Sequence, residues 1–420
     1  MQNFEKVLEE ANKCLNCKNP MCKKNCPIET NIPDFINEIK NNNLRKAYDI
    51  LQENNIMSDV CSNVCPYEEY CTGNCIKGIK GEPVKVSKLE KFVNIWAREN
   101  DINYTYKIEK PNGYKVAIIG SGPAGLECGV ELAKMGYGVT VFEKEPEIGG
   151  LLSYGIPGFR LPRNITKNLT RRVKELGIEV KPNCEFGKDV TINSIKELGY
   201  DAIFIAIGRE IPSSYKLCDE ECDKIYKASY ILKEYNAKRI VENLGDVVII
   251  GGGNVATDSA RAAIRMGAKS STIVYRRDRQ SMPARDDELE AAFKDGVEII
   301  YNTKVNEAEV KNNKISKVKC TKTELKDGKL LDIVNSEHYI KANSVIFAIG
   351  QKPDKKLLDI EGIALDDKGF IKTDEEYKTN IEGVFAGGDV AQEKATVCIA
   401  ITSGKKVANE IDKYIKNIKK

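Results

Sequence analysis

Lys115-Val116-Ala117-Ile118-Ile119-Gly120-Ser121-Gly122-Pro123-Ala124-Gly125 reads as a short apolar strand running into a glycine-rich turn. Residues 123–135 then carry helical periodicity, and 139–142 read as a second strand. Glycines at 120, 122 and 125 permit a tight turn, close backbone approach to a pyrophosphate, and close helix–strand packing. The opening turn of the helix offers unpaired N–H groups to phosphate. Glu143, 23 residues after Gly120 at the end of the second strand, is placed to bond an adenosine ribose hydroxyl. A chance glycine-rich turn accounts for none of the surrounding strand, helix and acid.

The same strand–turn–helix–strand unit returns over residues 247–274, with Gly251-Gly252-Gly253-Asn254-Val255-Ala256 as its turn and alanine in place of the third glycine. Here the position 25 residues after Gly251 is not acidic but reads Tyr275-Arg276-Arg277. A carboxylate there repels a 2′-phosphate, whereas guanidinium groups bind one through charge-assisted, bidentate contacts. Asp278 dilutes that charge, and a solvated surface turn is the plainer alternative. On position, the first site suits FAD and the second NADPH rather than NADH. A flavoprotein disulfide reductase also needs a redox-active cysteine pair beside the flavin. Residues 147–163 contain no cysteine, Cys128 stands alone in a helix as a small core residue, and Cys218-x3-Cys222 falls in an acidic loop as an incidental pair.

An exit for the electrons lies at the other end. Eight of the fourteen cysteines fall within the first 75 residues, as Cys14-x2-Cys17-x4-Cys22-x3-Cys26 and Cys61-x3-Cys65-x5-Cys71-x3-Cys75. Pro27 follows the first run directly. Closely spaced thiolates ending in Cys-Pro match the bacterial ferredoxin pattern, in which the fourth cysteine of a run serves the other cluster. Counting cysteines therefore gives two [4Fe–4S] clusters with interleaved ligands. Structural zinc is the main alternative, but only one C-x2-C occurs and the sole histidine is the distant His338. A disulfide framework suits a small secreted domain rather than 420 residues with no signal peptide.

A net charge of +3 with scattered lysines excludes a nucleic-acid electrostatic footprint, and no run of 18 apolar residues exists to span a membrane. Many cysteines without an export signal place the chain in the reducing cytoplasm. The fold class expected is α/β: two Rossmann-like nucleotide-binding domains, of the three-layer ββα type, preceded by an all-α iron–sulfur domain. The domains expected are 1–105 for the clusters, 113–245 with 345–420 for FAD, and 246–344 for NADPH. Residues 32–51 read as helical, 100–113 as a linker, 315–341 as a strand meander, and 344–420 as strand, turn and final helix.

With these residues assembled, the chain resembles the small (beta) subunit family of NADPH-dependent glutamate synthase over essentially its whole length. The resemblance rests on the double cysteine run, residues 116–125, Gly149-Gly150-Leu151, the stretch 154–162 (Tyr-Gly-Ile-Pro-Gly-Phe-Arg-Leu-Pro), residues 251–258, Tyr275-Arg276-Arg277 and residues 384–389. Related members are the dihydropyrimidine dehydrogenase N-terminal half, its separate bacterial small subunit, and the large subunit of the electron-bifurcating ferredoxin:NADP transhydrogenase. The resemblance implies FAD contacts at Gly120, Gly122, Pro123, Ala124, Gly125, Glu143, Lys144, Gly150, Leu151, Arg163, Gly388 and Asp389. It implies NADPH contacts at Gly251, Gly253, Asn254, Val255, Ala256, Arg276 and Arg277. It further implies one cluster on Cys14, Cys17, Cys22 and Cys75, and another on Cys26, Cys65, Cys71 and Glu90, leaving Cys61 out. Counting and resemblance thus disagree over Cys61. Residues 394–398 depart from the small-residue-rich family pattern, and no flavin contact is carried over to them. No residue is required as general acid, base or nucleophile, because the expected step is hydride transfer between cofactors. The expected role is an electron-input subunit serving a larger catalytic partner, most simply the glutamate synthase large subunit. Pyrimidine dehydrogenase and the bifurcating transhydrogenase are the alternatives.

Overall fold

The computed structural model describes residues 4–219 and 222–418. Two compact units divide the chain. One comprises residues 1–153, 159–208 and 353–420, and the other 154–158 and 209–352.

The first unit begins with helices Phe4–Asn12, Ile32–Lys40, Leu44–Asn54, Ser58–Val64 and Val86–Glu99. The stretch read as one helix over 32–51 is two. Asn41-Asn42-Asn43 breaks it, with Asn42 in the left-handed region (φ 55°) and the Asn43 side chain capping the second helix. These short helices turn Phe35, Ile36, Ile39, Leu51, Leu89 and Val93 into one core, against which Cys14, Cys22, Cys26, Cys71 and Cys75 pack. The cysteines sit mostly in loops between helices, where backbone direction changes within a few residues and several thiols can face one point.

The same unit holds a five-stranded parallel sheet in the order Val384–Ala386, Ala202–Ile205, Lys115–Ile119, Gly138–Phe142, Glu179–Lys181. Its central strand is buried from Val116 to Ile119, as a parallel strand covered on both faces must be. Helices Pro123–Lys134 and Val397–Ile418 pack on each other so closely that a Cβ on Gly404 would stand 2.2 Å from the Ala124 carbonyl oxygen.

The second unit repeats this sheet in the order Ile225–Lys227, Ser344–Phe347, Asp246–Ile250, Ser270–Val274, Glu298–Ile300, all parallel. An antiparallel meander of Thr303–Lys311, Lys314–Lys326, Lys329–Asp332 and His338–Lys341 completes it. The two units are bounded differently from the domains expected from the fingerprints. Residues 345–347, expected to open the second FAD segment, lie in strand Ser344–Phe347, which pairs with Asp246–Ile250 in register Ser344↔Val247, and the first unit resumes only at Pro353. Residues 209–245 also belong to the second unit, because Ile225–Lys227 forms the edge of its sheet. Among the described residues no helix is long and apolar enough to cross a membrane.

Candidate functional site

In the first fingerprint Gly120 is left-handed (φ 98°), and a Cβ there would meet the Ala206 carbonyl oxygen at 2.6 Å. Gly125 is needed for packing, since its Cβ would fall 2.0 Å from the Gly120 carbonyl oxygen. Gly122 caps the helix with open space where a Cβ would point, and Pro123 takes the first helical position. Glu143 is buried beside this turn; one carboxylate oxygen accepts from the Ser121 N–H at 3.0 Å and from the Ser121 hydroxyl, the other from the Glu145 N–H at 2.8 Å. Lys144 follows on the exposed side.

Two distant segments close on the turn. Gly150 (φ 53°) lies against Gly122, its would-be Cβ 3.1 Å from the Gly122 Cα, and Leu151 beside it is exposed. Arg163 donates to the Leu152 carbonyl at 2.9 Å, tying helix Arg163–Glu175 to that loop. From the other direction Gly388 (φ 69°) approaches the Ala124 side chain and donates its N–H to Ser403 at 2.9 Å, with Asp389 in the same 3-10 turn. Backbone N–H groups, an acidic strand end and glycines pared to the backbone form a cradle suited to a dinucleotide.

The second fingerprint is built alike. Gly251 cannot carry a Cβ because the Ala348 carbonyl oxygen would lie at 2.4 Å, and Gly252 is covered by the Tyr275 ring. Gly253 faces open space ahead of helix Asn254–Arg265; Val255 is exposed and Ala256 fully buried. Asn254 accepts from the Arg285 N–H at 3.1 Å. Arg276 is exposed, its carbonyl fixed by the Thr323 hydroxyl at 2.7 Å, and Arg277 has a buried Nε with no hydrogen-bond partner among the described residues. A buried guanidinium N–H without an acceptor is costly, and a phosphate oxygen would relieve it.

In the helical region Cys14, Cys17, Cys22 and Cys75 line one pocket, walled by Met21, Ile32, Ile36 and Val84. Burial pushes the Cys22 thiol up to about 11, with Cys14 and Cys75 adding to the rise. The remaining thiols form a second group around Glu90. Burial raises Cys26, Cys61 and Cys71, and the Glu90 charge raises each further. The Cys65 thiol is raised as well, first by its contact with Cys398 and by burial, with Cys61 and Cys71 adding to the rise. Glu90 is itself pushed up to about 7, first by burial, against a 2.8 Å hydrogen bond from Ser58. Ser58 is held in turn by Asn94 at 3.0 Å, and Asn94 by Gln52 at 3.1 Å, so the carboxylate is oriented by a buried polar chain. Among the described residues no three of these groups converge tightly enough for a single ion. A four-iron cluster spreads its ligands wider than one ion does, and an all-thiol pocket with apolar walls fits it.

The structure thus brings both cysteine sets together, and it gathers Cys61 and Glu90 alike at the second. Two neighbours escaped the sequence reading. Cys398, on the final helix, lies 3.8 Å from Cys65 (sulfur to sulfur). Glu127, in the first fingerprint helix, is buried, and among the described residues neither of its carboxylate oxygens has a hydrogen-bond partner. Cys128 is a buried core residue, and Cys218 is disulfide-linked to Cys222 rather than being an incidental pair.

Residues 114–404 match the family described as pyridine nucleotide-disulphide oxidoreductase, and residues 1–102 match dihydropyrimidine dehydrogenase domain II, 4Fe-4S cluster. The glutamate synthase [NADPH] small chain of Escherichia coli (strain K12) is 33% identical over 97% of this chain and 91% of its own length. A subunit of NAD-dependent dihydropyrimidine dehydrogenase from Salmonella typhimurium (strain LT2) is 30% identical over 97% of this chain and 94% of its own. The solved structure of the His57Gln mutant of FprA from Mycobacterium tuberculosis superposes with a TM-score of 0.62 at 18% identity, over 74% of this chain and 86% of that one.

Proposed function

Because the chain belongs to the glutamate synthase small-chain family of NADPH- and FAD-dependent iron–sulfur oxidoreductases, we propose that it is the electron-input subunit of a glutamate synthase, delivering electrons from NADPH through two [4Fe–4S] clusters to a larger partner in the cytoplasm. The observation that carries this reading is the pairing, in one chain, of an arginine-marked nucleotide turn with a pocket lined by four thiols and a second group of thiols around Glu90.

The bound groups supply hydride transfer from NADPH to FAD and single-electron transfer beyond it. The protein's residues bind and orient. The N–H groups at the starts of helices Pro123–Lys134 and Asn254–Arg265 hold pyrophosphate. Glu143 takes a ribose hydroxyl, exchanging its Ser121 contact for it. Arg276 and Arg277 grip the 2′-phosphate. Cys14, Cys17, Cys22 and Cys75 hold one cluster, and Cys26, Cys65, Cys71 and Glu90 the other. The dihydropyrimidine dehydrogenase subunit is nearly as similar, but the arginine pair favours the NADPH-linked reading.

The test is reconstitution. Alone, the purified chain should reduce an artificial dye with NADPH and form no glutamate. Mixed with a glutamate synthase large subunit, it should form glutamate from glutamine and 2-oxoglutarate. Glutamate made by the single chain, or electrons accepted by a pyrimidine reductase and not by the large subunit, would overturn the assignment.

A further inference from the structure

The final helix does more than close the flavin-type sheet. Its first turn places Cys398 with its sulfur 3.8 Å from that of Cys65 and 3.2 Å from the Thr396 hydroxyl. Cys398 is 2% exposed, so water does not compete for these contacts. The helix is held rigidly where the two sulfurs meet. Thr402 donates to the Pro27 carbonyl, next to Cys26, at 2.7 Å, and Lys405 donates to the Asn54 carbonyl. On its other side Gly404 packs on the Ala124 carbonyl, and Ser403 accepts the Gly388 N–H. The helix that carries Cys398 is therefore anchored on both sides.

We propose that Cys398 donates its S–H to the Cys65 sulfur and thereby raises the reduction potential of the cluster that Cys65 holds. The inference rests on Cys65 being a ligand, as in the reading above. As described, the hydrogen bond runs from Cys65 to Cys398. A cysteine bound to iron is a thiolate with no proton to give, so the bond must reverse, with Cys398 as donor and Cys65 as acceptor. A donor on a ligand sulfur stabilises the extra negative charge of the reduced cluster, which is one of the recognised determinants of cluster potential. Cys398 touches no iron in this account. It positions a proton against a ligand, from the helix that also completes the FAD cradle.

The experiment is an electron-paramagnetic-resonance redox titration of the holoenzyme and of Cys398→Val, Cys398→Ser and Cys65→Ala. Valine matches the thiol in size but cannot donate. Cys398→Val should keep the full iron content and lower the reduced-to-oxidised ratio of one cluster at fixed potential by about threefold or more, roughly 30 mV for one electron. Cys398→Ser, whose O–H still donates, should restore the native value or exceed it. Equal potentials in the valine variant and the native protein would overturn the proposal, as would equal shifts in the valine and serine variants. Loss of four irons in Cys398→Val would mean that Cys398 is itself a ligand, and would overturn it too. Retention of both clusters in Cys65→Ala would instead remove the ligand assignment beneath it.

Discussion

Replacing Glu127 by glutamine should stabilise the protein, and by an amount that grows with pH. The residue lies in the middle of the first fingerprint helix, buried, and among the described residues neither carboxylate oxygen has a hydrogen-bond partner. Burial is the main reason its carboxyl is pushed up to about 8 from an ordinary 4.5; Glu131 adds to the rise, while Lys405, Lys134 and Arg172 oppose it. Because the folded state raises the value, folding favours the protonated form. The penalty is absent below pH 4.5, where the unfolded chain is protonated as well, grows as pH rises, and is complete above pH 8. At 1.36 kcal/mol per unit, the interval from 4.5 to 7 costs about 3 kcal/mol at neutrality. Glutamine keeps the shape of the protonated acid and does not titrate. Thermal unfolding of the holoprotein and Glu127→Gln at matched pH between 5 and 8.5 reads the effect. The gain in Tm should be near zero at pH 5 and largest above pH 8. Parallel curves, displaced by a constant amount, would refute the reasoning, because only a titrating group gives a difference that depends on pH.

Arg276→Ala and Arg277→Ala should each remove a charge-assisted phosphate contact worth about 1.5–3 kcal/mol, seen as a raised KM for NADPH with NADH use little changed; equal damage to both nucleotides would make the arginines structural. Cys61→Ser should retain about eight irons, two four-iron clusters, whereas Glu90→Ala should lose or perturb one cluster while FAD remains bound. Iron analysis and cluster spectra giving the reverse pattern would return Cys61 to the ligand set.

What could be read from the sequence was local. Gly120 to Gly125 and Gly251 to Ala256 each carry strand, turn and helix within a few residues, and both lie where such turns belong, ahead of Pro123–Lys134 and Asn254–Arg265. The break at Asn41-Asn42-Asn43 was also legible in three consecutive turn-forming residues, and the amphipathic pattern on either side masked it. Strand 344–347 was not legible in the same way. Its apolar residues suit either sheet, and only pairing with Asp246–Ile250, about a hundred residues earlier, decides which one it joins. Cys398 lies 333 residues from Cys65, outside both cysteine runs, so spacing gave no hint of the contact. Glu127 carried no signal either, since an acid in a helix is ordinarily a solvated one.

The threading of the first unit bears on how the protein is made. Its sheet takes Lys115–Ile119 and Ala202–Ile205 from before residues 209–352, and Val384–Ala386 from after them. The second unit is nearly continuous in sequence, so it can form as soon as its own residues leave the ribosome. The earlier segments must wait, with the Ala202–Ile205 edge unpaired and the Pro27 and Asn54 carbonyls without their threonine and lysine donors respectively, until the final helix arrives. On the ribosome, cofactor loading of the first unit is thus deferred to the end of synthesis, and the thiols translated first are the ones exposed longest to oxidants and stray metals.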